Sequence, residues 1–262
     1  MELTVLGSGT AVPSRRRGAP GYLVKAGRQQ LLIECGAGTL DRMMRFGMDP
    51  RDVDRIVLSH HHLDHYGELA HFLFGSRLPG YGRQRPLVVA GSAPLLRIFR
   101  QSSEPFGAWL RPREYPFSLH DLDARPLEGD GFRLTGYPVA HIASSRAFRI
   151  RDATGVVLAY SGDTDVCDGV LEAGEDADLL VIEASFPEGA KRPGHLVPSE
   201  AGRLGRQARA RRLLLTHFYP ECDSRDPLPA ARSTFDRPVW SAEDGMVVDV
   251  GSGAVLRWKA EG

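Results

Sequence analysis

The sequence predicts a layered α/β protein, and three observations carry that expectation. Strand-like apolar runs alternate with helical stretches in both halves of the chain. Several of these runs are short and continuously apolar, as buried strands are. Histidine and aspartate residues recur just past their ends, where α/β proteins put their chemistry. At 262 residues, the expectation is a single domain over residues 1–262.

The elements follow in order. Residues 3–6, 22–26 and 30–34 read as strands in an antiparallel run, broken by Gly36-Ala37-Gly38, with a helix over 40–46. Residues 54–58 form a short apolar strand, and apolar spacing then predicts a helix over 66–74. A strand over 86–91 and a helix over 94–100 come next. Residues 101–128 are rich in proline, arginine and aromatics without clear period, and read as loop with short elements. Strands are expected around 132–139, 147–151, 155–161 and 179–183. Ser199-Glu200 caps a helix running to about 210. A strand over 212–216 follows it, and residues 246–250 and 254–258 make a closing hairpin.

Composition narrows the function classes. The hydrophobic content of 42% and charged content of 25% are ordinary for a globular protein. With 33 basic and 33 acidic residues, no global field steers the chain toward nucleic acid or an anionic membrane. No apolar run is long enough for a membrane span, and no leader opens the chain, so the cytoplasm is the expected location. Cys35, Cys167 and Cys222 are odd in number, far apart and without C-x-x-C spacing, so neither a disulfide framework nor a cysteine zinc site is indicated. Gly7-x-Gly9 fails as a dinucleotide loop because Val12 occupies the third glycine position. No G-x-S-x-G elbow supports a serine hydrolase.

The run Ser59-His60-His61-His62-Leu63-Asp64-His65 holds four of the nine histidines. Neutral imidazoles and a carboxylate offer lone pairs to a borderline divalent ion, and their crowding has no use in an apolar core. The run sits on the turn between a strand and a helix, unlike a terminal tag. His60, His62, Asp64 and His65 are the candidate metal ligands here. His141, Asp163 and His217 each follow another apolar run and are the candidates for completing the site. His61 is not counted as a ligand, and His71 and His120 read as ordinary helix and loop residues.

In order and spacing, His60-x-His62-x-Asp64-His65, His141, Ser161-Gly162-Asp163-Thr164 and Leu215-Thr216-His217 resemble the metallo-β-lactamase superfamily. The resemblance implies a four-layered αβ/βα sandwich with two metals at one edge. It implies that His60, His62 and His141 hold one ion, that Asp64, His65 and His217 hold the other, and that Asp163 bridges them. Zinc is the expected metal, with manganese or iron as alternatives. Asp163 stands where true β-lactamases carry cysteine, and His62 where the oxygen-reducing members carry glutamate.

Glu183-Ala184-Ser185-Phe186, Gly194-His195-Leu196 and the opening Leu6-Gly7-Ser8-Gly9-Thr10 resemble the ribonuclease Z-like branch, which cleaves phosphodiesters. That likeness implies that Glu183 orients His195, and that His195 acts on the leaving oxygen or the transition state. Asp64 would then orient the attacking water or accept its proton. Only 21 residues separate His141 from Asp163, too few for the arm with which the bacterial tRNA-trimming members grip RNA. A small or nucleotide-derived phosphodiester is therefore the expected substrate, and structured RNA is disfavoured. Arg15-Arg16-Arg17 is a basic turn that reads equally as a phosphate contact or as solvated charge. The alternatives are an ester, thioester or lactone hydrolase of the same fold, an RNA 3′-end endonuclease, or a metal-binding regulator without turnover. A homodimer is compatible with the resemblance.

Overall fold

The computed structural model describes residues 1–78 and 80–258. The opening antiparallel run is β1 (Glu2–Gly7), β2 (Gly21–Ala26) and β3 (Gln29–Ile33), with Leu3 opposite Val24 and Leu23 opposite Leu32. It is followed by α1 (Thr39–Arg45), β4 (Arg55–Val57), α2 (Leu63–Tyr66), α3 (Leu69–Gly75), β5 (Leu87–Gly91), α4 (Ala93–Ser103) and β6 (Phe117–Asp121). The second half contains β7 (Leu127–Gly129), β8 (Phe132–Pro138), β9 (Arg146–Asp152), β10 (Val157–Tyr160), α5 (Asp168–Gly174), β11 (Leu179–Glu183) and α6 (Pro198–Gln207). It closes with β12 (Leu213–Thr216), α7 (Leu228–Arg232), β13 (Val239–Ser241), β14 (Met246–Asp249) and β15 (Val255–Trp258).

Among the described residues, the strands form two sheets. One is ordered β15-β14-β1-β2-β3-β4-β5-β6 and the other β13-β12-β11-β10-β9-β8-β7. The alternation of side chains along a strand explains why they stack. Leu3, Val5, Tyr22, Val24, Leu31 and Ile33 of the first sheet meet Phe148, Ile150, Leu158, Tyr160, Leu179 and Val181 of the second in one buried cluster. The intervening residues point outward. Leu6, Leu23 and Leu32 pack under Met43 of α1, Phe72 of α3 and Phe99 of α4. Leu180, Ile182, Leu213 and Leu215 pack under Val170 of α5 and Leu204 of α6. The result is the expected four layers. Each fully buried Leu or Val contributes ~1.5–3 kcal/mol, and a one-residue slip would turn a whole strand's set to the wrong layer.

The helix expected over 66–74 is two helices. Gly67 N closes α2 onto Leu63 O, and Glu68 then ties the next turn back through its N–H to Cys35 O and its carboxylate to Leu40 N. Residues 101–128 hold a 3₁₀ stretch at Glu104–Leu110 and the short strands β6 and β7. The α6 cap is also displaced. Glu200 accepts from the Val197 N–H, with Pro198 in the first turn, while Ser199 bonds Glu188 instead. None of the helices is long and apolar enough to cross a membrane, among the described residues.

Candidate metal centre

Chain direction explains why the polar residues meet. In the second sheet β10, β11, β12 and β13 run parallel, and β8 shares their direction because β9 is antiparallel to both β8 and β10. His141, Asp163, Glu183 and His217 therefore leave one edge of that sheet, while His60 to His65 leave the matching end of β4. Tyr22 and Thr216 share a 2.6 Å hydroxyl contact that ties the two sheets beneath them.

All seven predicted ligands converge. Ligand atoms of His60, His62, His141 and Asp163 lie within 4.8 Å of one another, and so do those of Asp64, His65 and His217. His62 Nδ1 sits 3.2 Å from His141 Nε2, and His65 Nε2 sits 3.1 Å from His217 Nε2. A tetrahedral site with bonds of about 2.0 Å has ligand-to-ligand edges of about 3.3 Å. Asp163 lies between the groups. Its Oδ1 is 3.3 Å from both His65 and His217 Nε2, and its Oδ2 is 3.8 and 3.9 Å from His60 and His141 Nε2.

The donor set fits a cation. His60 Nε2 and Asp163 Oδ1 are buried with no hydrogen-bond partner. Leaving such groups unpaired is costly unless something else claims their lone pairs. The outward ring nitrogens are held by fixed partners. His141 Nδ1 donates to Gly194 O at 3.0 Å, and since a carbonyl only accepts, neutral His141 presents a lone pair at Nε2. His60 Nδ1 pairs with Ser59 Oγ at 2.9 Å, His217 Nδ1 with Ser185 Oγ at 2.9 Å, and His65 Nδ1 faces Glu34 Oε1 at 3.3 Å. Such partners orient metal-binding imidazoles.

The electrostatics agree. Burial, reinforced by neighbouring imidazoles, pushes His60 well below its usual pKa. Burial also opposes charge on His65, but Asp163 and Glu34 outweigh it and raise its pKa well above normal. Burial alone would raise Asp163, yet His217 and His65 hold it well below the carboxylate range. Asp64 falls to about 2 because His217 and His65 outweigh its burial. The cluster thus competes for positive charge, and protons and metal ions compete for the same lone pairs.

Glu183 and His195 stand together beside the cluster. Glu183 is buried, and its Oε1 accepts from Thr164 N at 2.7 Å and His195 Nδ1 at 3.2 Å. Its Oε2 accepts from Leu196 N at 3.0 Å and from the Ser185 hydroxyl. The His195 ring lies nearly parallel to that of His217, at 5.9 Å and 12°, and 5.0 Å from His141. Burial would lower the His195 pKa, but the hydrogen bond and charge of Glu183 overcome it and raise the pKa above the usual imidazole value.

One residue at the site, Glu34, was not legible from sequence. Glu34 is fully buried, adopts a positive φ of 62°, and anchors Ser59 N as well as facing His65. His217 has φ of 59°. Non-glycine residues held in this left-handed region cluster at functional sites. The strand end before Glu34 was visible in the sequence, but not its proximity to His65. The basic turn divides. Arg17 is bonded to Ser8 Oγ, Ala242 O and Asp223 and lies 4.4 Å over Phe218, so it staples loops. Arg16 bonds Asp223 O, while Arg15 is exposed and without a partner among the described residues. His61 bonds Ser144, His71 is exposed beside Glu68, and His120 bonds Arg125 O, so none of the three joins the cluster.

Comparison with known proteins agrees with this geometry. Residues 29–218 match the family described as the beta-lactamase superfamily domain. The chain belongs to that superfamily, whose fold implies divalent metal binding. Among its relatives is the uncharacterized protein Rv1339 of Mycobacterium tuberculosis, 33% identical over 91% of this chain and 88% of that protein. A ribonuclease Z of Myxococcus xanthus is 30% identical over 95% of this chain and 98% of that one. The crystal structure of the metallo-beta-lactamase fold protein YhfI from Bacillus subtilis has a TM-score of 0.81 at 26% identity, covering 94% of this chain and 98% of that one. These relatives place the chain among metal-dependent hydrolases.

Proposed function

We propose that this protein is a two-metal phosphodiesterase acting on small or nucleotide-derived phosphodiesters. The observation that carries the reading is the Glu183–His195 pair, held 3.2 Å apart with the His195 ring stacked over His217 beside the cluster. Ester, thioester or lactone hydrolysis would use the same ligands but gives this pair no task.

His60, His62 and His141 would hold one ion, Asp64, His65 and His217 the other, with Asp163 between them. Zinc suits this nitrogen and oxygen donor set. Bound there, such a pair supplies Lewis acidity to the phosphoryl oxygens and acidifies water. Asp64 would orient the attacking water or accept its proton. Glu183 fixes the Nδ1–H of His195, leaving Nε2 free toward the substrate. Its raised pKa keeps His195 protonated to higher pH, ready to donate to the leaving oxygen. The 21 residues between His141 and Asp163, largely taken up by β9 and β10, support a small substrate over a gripped RNA. So does the alignment with the M. xanthus ribonuclease Z, whose 308 positions on a chain of 262 residues mean that the relative carries segments absent here.

The test is turnover of bis(p-nitrophenyl) phosphate by metal-loaded protein, run beside a thioester and a lactone, with His195→Ala as the control. Diester cleavage that collapses in the variant supports the reading. Ester or lactone turnover indifferent to His195, without diester cleavage, overturns it.

A further inference from the structure

We infer that Tyr219, backed by Phe186, is the surface on which the planar base of a nucleotide ester stacks while its phosphate faces the histidine–aspartate cluster; this rests on the phosphodiesterase reading above.

The two rings are brought together by the sheet. β11 and β12 are parallel neighbours with Glu183 opposite Thr216, so the loops that follow them leave side by side. Tyr219 N donates to Ser185 O at 3.2 Å and Phe186 N to Leu196 O at 3.4 Å, which fixes both loops. The rings stack at 4.5 Å and 19°. Both are half-buried, and neither joins the three buried clusters of the fold. An aromatic pair held rigidly at the surface, instead of being folded into a core, has a ring face to offer a ligand.

Its orientation says which ligand. The Phe186 ring meets His195 edge-on at 5.7 Å and 70°, and the Tyr219 ring does so at 6.0 Å and 77°. Tyr219 alone of the two also meets His217, at 6.1 Å and 78°. Tyr219 is therefore the ring nearer the cluster, with Phe186 behind it, and the pair stands at right angles to the parallel His195 and His217 rings. A leaving oxygen within hydrogen-bond reach of His195 carries its substituent into that corner. A planar base there stacks on an aromatic face for ~1–3 kcal/mol, whereas a small alkyl group gains little. The Tyr219 hydroxyl has no hydrogen-bond partner among the described residues.

The experiment compares two probes with the same phosphate, adenosine 5′-monophosphate and ribose 5-phosphate, by calorimetric titration of metal-loaded protein. The wild type is expected to bind the nucleotide about 5- to 150-fold more tightly, the ratio that one stacked base supplies. Tyr219→Leu should bring that ratio close to one, and Tyr219→Phe should preserve it. If Tyr219→Leu does not fold, Phe186→Leu, which removes the backing ring, should still reduce the ratio. A ratio near one in the wild type overturns the inference, as does a ratio unchanged by Tyr219→Leu. Equal weakening of both probes would make the pair a brace for His195 and also overturns it. Turnover of bis(p-nitrophenyl) phosphate, measured on the same preparations, judges the phosphodiesterase reading separately.

Discussion

Replacing Glu183 by glutamine probes the site with a change of one atom. The wild-type carboxylate accepts four hydrogen bonds, two on each oxygen. The amide nitrogen of glutamine accepts none. If it takes the Oε1 position it opposes Thr164 N–H and His195 Nδ1–H; in the Oε2 position it opposes Leu196 N–H and the Ser185 hydroxyl. Either way one buried backbone N–H loses its acceptor, at ~1–3 kcal/mol of stability. The loss of negative charge also removes what raises the His195 pKa.

If His195 is the general acid, its contribution of about 10²- to 10⁴-fold is at stake, equivalent to ~3–5 kcal/mol in the transition state. The assay is kcat and kcat/KM for bis(p-nitrophenyl) phosphate across pH, with metal content and melting temperature measured on the same samples. A raised pKa keeps the acid form populated to higher pH, so the alkaline limb of the wild-type profile should shift to lower pH in Glu183→Gln. Because Glu183 acts through His195, the double variant with His195→Ala should be little worse than His195→Ala alone. Unchanged kcat and an unmoved limb in a folded, metal-replete Glu183→Gln would refute the assigned roles.

Three further outcomes are expected. Asp163→Ala removes the carboxylate between the two groups of ligands, so metal bound per chain, read by elemental analysis, should fall along with activity; retention of both ions would exclude a bridging Asp163. In Gly36→Ala the new Cβ would lie 1.9 Å from Asp64 O, a backbone atom of the ligand turn. Stability should drop by ~1–3 kcal/mol from overpacking and metal affinity should weaken with it, whereas unchanged affinity would show that the turn adjusts freely. The buried Arg83 guanidinium donates to Arg51 O and Val53 O at 2.7 Å and to Pro86 O at 3.1 Å. Arg83→Met leaves those carbonyls unpaired and should lower the unfolding free energy by ~3–5 kcal/mol without changing metal content, as titration with denaturant would reveal.

Much of this protein was written locally. The inward and outward sets of β1, β2, β3 and β11 follow from their side-chain alternation, and the seven ligand types sit in short recognisable contexts after apolar runs. What the local sequence could not express is distance between remote parts of the chain. His65 and His217 are 152 positions apart, and only sheet pairing sets them 3.1 Å from each other. Glu34 reads as an ordinary strand end until β3 and β4 pair and bring it beneath His65. α5 was missed because it is seven residues long with two glycines, a poor helix by intrinsic preference. A Cβ at Gly169 would lie 1.8 Å from Pro138 O, so that close approach requires the residue that weakens the helical signal. Arg15, Arg16 and Arg17 are indistinguishable in sequence, yet Asp223 and Phe218 claim Arg17 and leave Arg15 exposed. The sequence by itself determined which residues carry lone pairs and which faces seek burial, because these are properties of side chains and their periodicity. Only the tertiary structure decided which lone pairs meet, because convergence depends on the ends of strands that are far apart in the chain.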